Sequence, residues 1–149
     1  MALRDVVKDG DDILRKVCRE QTTFDARLGQ ILDDMLETMK AAEGVGLAAP
    51  QIGLMKRYAI CQMESNEIVE LINPVVLAAS GEAVMNEGCL SVPKKYLPVK
   101  RPTYLKLRYQ NRKGETVERE FRDFDARVCC HEMDHLDGIL FYDKAVKDE

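Results

Sequence analysis

No stretch of about eighteen apolar residues occurs in the 149-residue chain, so the sequence offers no candidate membrane-spanning helix. A basic surplus is missing too: 22 lysines and arginines stand against 26 aspartates and glutamates, a formal charge of −4. Nucleic-acid binders need a basic footprint to displace counterions. The basic stretch Lys94 to Arg101 is short and interrupted and reads as a solvated loop or strand edge, so no direct nucleic-acid recognition is expected. The opening MALRDVVKDGDD mixes acids with bases and lacks the apolar core of a secretion signal, which leads to the expectation of a cytoplasmic protein with no membrane association. Five cysteines (Cys18, Cys61, Cys89, Cys129, Cys130) form an odd set without an oxidising address, which disfavours a disulfide framework and favours reduced thiols in a core or at a metal. Histidine is scarcest of all the reactive types, with only His131 and His135.

With 46% apolar and 32% charged residues, the chain fits one globular domain over residues 1–149. It contains no internal repeat, linker or low-complexity tract. From Asp25 to Lys40, Leu28, Ile31, Leu32, Met35 and Met39 recur at helical spacing, with Asp25 as N-cap and Gly44 beyond the end. GVGLAAPQIG (44–53) reads as a tightly packed loop. Strands are expected at 58–63, 68–72 and 75–79, the last two separated by an Asn73-Pro74 turn, and a hairpin at 103–110 and 116–121 with one wet face. A mostly buried helix starts near Asp123, its cap, and stops at Gly138. The expected fold class is α+β: antiparallel β-sheets packed around a buried C-terminal helix, with an amphipathic N-terminal helix.

That last helix carries His131-Glu132-Met133-Asp134-His135, the HExxH arrangement. Side chains four apart on a helix lie one above the other, so both imidazoles can hold one metal while Glu132 reaches a water proton. A catalytic site needs a third protein ligand and an open position. No third histidine exists, and Phe141 stands where the longer pattern HExxHxxGxxH has its last one. Cys130 is rotated about 100° from His131, Cys129 lies on the apolar flank, and Cys61 and Cys18 read as buried hydrophobes. Cys89, in NEGCLSVP, follows Gly88 in an irregular strand edge that aims a thiolate into a cavity, and is the third ligand expected.

GVGLAAPQ (44–51), EGCLS (87–91) and HEMDH (131–135), in that order, resemble the three signature motifs of the peptide deformylases, and the likeness extends along nearly the whole chain. The resemblance implies a metal-dependent hydrolase that removes the N-formyl group from formyl-methionine on newly made polypeptides and releases formate. It implies one divalent metal, usually ferrous iron with zinc, nickel or cobalt able to substitute, held by Cys89, His131 and His135. Water activated there attacks the formyl carbonyl with Glu132 as general acid/base. Gln51 and the backbone N–H of Leu90 make the oxyanion site, and Gly46 contacts substrate through its backbone. Apolar walls for the methionine are sought in Val45, Leu47, Leu90, Val128 and Cys129. The partners implied are N-formyl-methionyl nascent chains near the ribosome; the sequence leaves the oligomeric state open, a monomer being favoured. Glu87 reads as a structural neighbour rather than a catalytic group. One departure stands out: Cys130 occupies a place commonly taken by glutamine in that family, and the extra thiols lead to an expectation of greater sensitivity to oxidation. The rival readings are a metallopeptidase or amidase of other acyl specificity and a non-catalytic peptide-binding relative.

Overall fold

Helix α1 (Ala26–Ala41) begins where the Asp25 carboxylate accepts the Leu28 N–H at 3.0 Å, satisfying an amide that has no partner within the helix. It ends as Glu43 takes a left-handed φ of 60° and the Gly44 N–H reaches back to the Met39 carbonyl at 2.9 Å. The buried stripe Leu28, Leu32, Met35 and Met39 packs against one face of an antiparallel sheet. The chain is described here over residues 2–146 of a computed structural model.

The sheet has the order β1-β2-β3-β6-β7, formed by β1 (Gly46–Ala48), β2 (Tyr58–Gln62), β3 (Ile68–Ser80), β6 (Tyr104–Gln110) and β7 (Thr116–Arg122). Strand β2 is buried on both faces. Tyr58 and Ile60 join the cluster under α1, while Cys61 joins a second cluster with Leu71, Leu105, Leu107 and Phe121. This second cluster is closed by Ala126, Val128 and Cys129 of helix α2 (Asp123–Leu136). The result is an α+β fold in which the sheet separates the two helices. Each fully buried leucine or methionine in these layers contributes about 1.5–3 kcal/mol.

Register decides which side chains face the second helix. Gly46 lies opposite Cys61 and Leu47 opposite Ile60, and residues directly opposite share a face. Gly46 therefore faces α2, and Leu47 faces α1. The 44–53 segment, read from sequence as a loop, holds this short strand and a 3-10 turn at Ala49–Ile52.

The two strands expected at 68–72 and 75–79 are one, β3, with a bulge between Ile72 and Val75. Asn73 adopts φ 52° there, its amide nitrogen donates to the Gln21 carbonyl and Gln110 Oε1 at 2.8 Å each, and its oxygen accepts the Gln21 N–H at 2.9 Å. Pro74, with no N–H to give a ladder, fits such a bulge. Strands β4 (Ala83–Cys89) and β5 (Val92–Arg101) form a separate two-stranded hairpin, and its register shifts between Glu87 and Cys89, so the expected irregular strand edge is there. Among the described residues no helix is long and apolar enough to cross a membrane.

Candidate metal centre and cavity

Helix α2 starts after Arg122, with no side-chain cap, so Asp123 does not cap it as its sequence suggested; Asp123 is its first residue, at φ 54°. The far end is stopped by Gly138 at φ 74°, where a Cβ would meet the Arg15 backbone at 2.6 Å. Only glycine fits that turn. Between these ends His131 and His135 stack along one face, ring centroids 5.2 Å apart.

The hairpin β4–β5 delivers Cys89 to the pair. Its Sγ lies 3.3 Å from His135 Nε2, and one ligand atom from each of Cys89, His131 and His135 falls within 4.8 Å of the others. A sulfur and two imidazole nitrogens at that separation form a candidate site for a metal ion. Glu87 Oε1 engages His131 Nδ1 at 2.9 Å, which leaves Nε2 for the ion and fixes the ring.

Glu87 is itself clamped. Arg101 donates to both of its oxygens at 2.9 Å, and Arg127 donates to Oε2 while also reaching the carbonyls of Val99 at 2.9 Å and Ala83 at 2.8 Å. Burial pushes the Glu87 carboxyl up, but hydrogen bonds from His131 and Arg101 outweigh it and hold it at about 2. Arg101 also pairs with Asp134, and Asp134 with Lys144. The reading of residues 94–101 as solvated thus fails at its last member: Arg101 is buried. Arg127 escaped the sequence reading although its place four residues before His131 puts it on the same helical face.

Glu132 is buried, and one oxygen, Oε1, has no hydrogen-bond partner. Burial raises its carboxyl to about 7, against the lowering pull of His131. A carboxyl in that range takes and returns protons near neutrality. For His135, burial and the charges of His131 and Arg101 keep the ring neutral, the form that ligates metal. Burial would lower His131 as well, but Glu132, Cys89 and Glu87 raise it to about 10 in the ion-free chain, so an arriving ion displaces a proton.

Gln51 is oriented unambiguously. Its Oε1 accepts the Ala48 N–H at 2.9 Å, so its Nε2 donates, to Ser91 Oγ at 3.0 Å and toward Cys89 Sγ at 3.6 Å. Ser91 was not among the residues singled out from sequence. A cavity of about 510 Å³ opens beside these groups, with Val45, Gly46, Leu90, Phe124 and Val128 in its walls. The structure thus brings Cys89, His131, His135, Glu132 and Gln51 together and places Val45, Gly46 and Leu90 on the cavity. Leu47 and Cys129 are not wall residues: both are fully buried, Leu47 because the register turns it to α1 and Cys129 because it packs on the sheet. Cys129 is thereby inaccessible, and burial pushes the Cys130 thiol up to about 11, so neither offers the exposed thiolate that the expected oxidation requires.

A buried HExxH helix with a cysteine from a facing hairpin and a carboxyl beside them is the arrangement of a candidate hydrolase metal site. The sequence model of the polypeptide deformylase family matches residues 3–149. Peptide deformylase 1 of Clostridium acetobutylicum is 49% identical over 149 residues, covering 100% of this chain and 99% of that one. The crystal structure of peptide deformylase from Thermotoga maritima superposes with a TM-score of 0.95 at 39% identity, covering 97% of this chain and 99% of that one. The Met-Ala-Ser-bound class I type b peptide deformylase of Acinetobacter baumannii gives 0.90 at 35% identity, covering 95% and 98%. The chain belongs to the polypeptide deformylase family of hydrolases.

Proposed function

We propose that this chain acts as one catalytic domain that removes the formyl group from N-formyl-methionyl nascent polypeptides in the cytoplasm, working as a monomer near the ribosome. The observation that carries this reading is the convergence of Cys89, His131 and His135 at a cavity that Glu132 and the Gln51 amide also reach. Those three residues hold one divalent ion, ferrous iron by preference, with zinc, nickel or cobalt as substitutes. When bound, the ion supplies Lewis acidity that brings the pKa of water toward neutrality.

The remaining work falls to the chain. Glu132 takes the proton of the attacking water and delivers it to the departing amine, which leaves poorly without it. Gln51 Nε2 and the Leu90 N–H face the oxygen on which negative charge builds. Because Gln51 Oε1 is already held by the Ala48 N–H, its Nε2 is fixed as the donor end beside Cys89 Sγ and Ser91 Oγ before reaction begins. The backbone at Gly46, flanked by Val45, pairs with the substrate in extended form. The tripeptide held by the Acinetobacter enzyme, Met-Ala-Ser, is the deformylated counterpart of such a substrate.

Chain loaded with iron without oxygen is expected to release formate from formyl-Met-Ala-Ser and to leave internal peptide bonds intact. Cleavage of internal bonds without formate would establish the metallopeptidase reading. Cys89→Ser is expected to lower metal affinity, since an alcohol is a far weaker anionic ligand than a thiolate. Metal content by mass spectrometry after dialysis against a chelator reads this directly; unchanged content would remove Cys89 from the ligand set.

A further inference from the structure

Glycine at position 46 is not required by its backbone, since its φ lies outside the left-handed range. What it faces is Glu132. A Cβ built on Gly46 would stand 2.7 Å from Glu132 Cδ and 2.8 Å from Cγ, and closer still to Oε2; these are its three nearest neighbours. Real carbon contacts of that kind do not fall below about 3.0 Å. Gly44 and Gly88 are also close-packed, but against Leu90 and Tyr96, side chains outside the proton path.

The Glu132 carboxyl is the end of a flexible side chain, so it, rather than the backbone, would yield to a methyl group. Its room to yield lies toward the cavity, because Gly46 faces α2 from the edge strand opposite Cys61. The metal-ligating atoms sit on other side chains and need not move. We infer that Gly46 is a positioning residue for the reaction: the missing side chain is the slot in which the Glu132 carboxyl stands, beyond any contact the Gly46 backbone makes with substrate. This rests on the reading of Glu132 as acid/base. It assigns position 46 a role in kcat, whereas a residue that only pairs with peptide backbone acts through KM.

The test is a double-mutant cycle on metal-loaded protein with formyl-Met-Ala-Ser. Gly46→Ala should keep its metal and its thermal midpoint, lose about 100-fold in kcat, the scale of a 1 Å misplacement, and change KM by less than about 3-fold. In a Glu132→Ala background the same Gly46→Ala change should have no further effect on residual turnover. Multiplicative losses in the cycle, or a loss confined to KM, would overturn the inference. Full turnover by Glu132→Ala alone would overturn the acid/base reading instead, so the two failures are distinguishable. Should Gly46→Ala fail to fold, Glu132→Ala, which removes Cγ and the whole carboxyl, must restore its folding; a double variant that remains unfolded places the clash elsewhere and defeats the inference.

Discussion

Glu132→Ala is expected to lose about 10²–10⁴-fold in kcat while keeping a full complement of metal. The size follows from what alanine removes: the carboxyl proposed to accept one proton and return it. The metal should stay because its expected ligand atoms belong to Cys89, His131 and His135. Steady-state formate release together with metal analysis checks both halves. Metal lost along with activity would make Glu132 a ligand or its support, not a proton carrier.

Glu87→Ala should be the most damaging change to stability, by about 3–5 kcal/mol, because it strands the buried charges of Arg101 and Arg127 and frees the His131 ring. Glu87→Gln keeps the shape but not the charge and should fall between. The dependence on acidity has a definite sign. Glu87 is held at about 2 in the folded chain, against an ordinary value of 4.5. A group depressed in this way stabilises fully above its unfolded value and ceases to do so as pH falls through its folded one. Urea unfolding of chelator-treated protein should therefore show the gap between unchanged chain and Glu87→Gln shrinking from about pH 4.5 down to about 2. A constant gap over that range would mean that Glu87 acts by packing alone.

Local signals carried the elements whose order is local. The stripe from Leu28 to Met39 and the cap at Asp25 specify α1 without help from the rest of the chain. The strand pair at β6 and β7 is legible for the same reason, with Asn111 accepting the N–H groups of Lys113 and Glu115 in the turn. HExxH is a four-residue relation on one helix, and so is as readable as the helix itself. Asn73-Pro74 misled because a turn and a bulge use the same residues; what separates them is pairing with β6, more than thirty residues further on.

Leu47 misled for a related reason. In a run of glycine and alanine nothing marks which face is which, and the register against β2 settles it. Arg101 reads as one more cation in a basic run, since its partners Glu87 and Asp134 lie 14 and 33 residues away. The proposed ligand trio, which the fold brings together, was accessible through scarcity: two histidines and one cysteine without a packing pattern. The clamp around Glu87 was not, because ion pairs leave no periodicity.

Gln51, Cys89 and His135 are drawn from three distant stretches of chain, Cys89 lying 38 residues from the first and 46 from the last. During vectorial synthesis they emerge in that order, and two long loops must close before the trio can meet. A ribosome-held chain with α2 still in the exit tunnel therefore has the glutamine and the sulfur but neither imidazole of the proposed ligand set. On the proposed function, each copy becomes competent only once α2 has emerged, so a newborn molecule would depend on an older one for processing of its own emerging end.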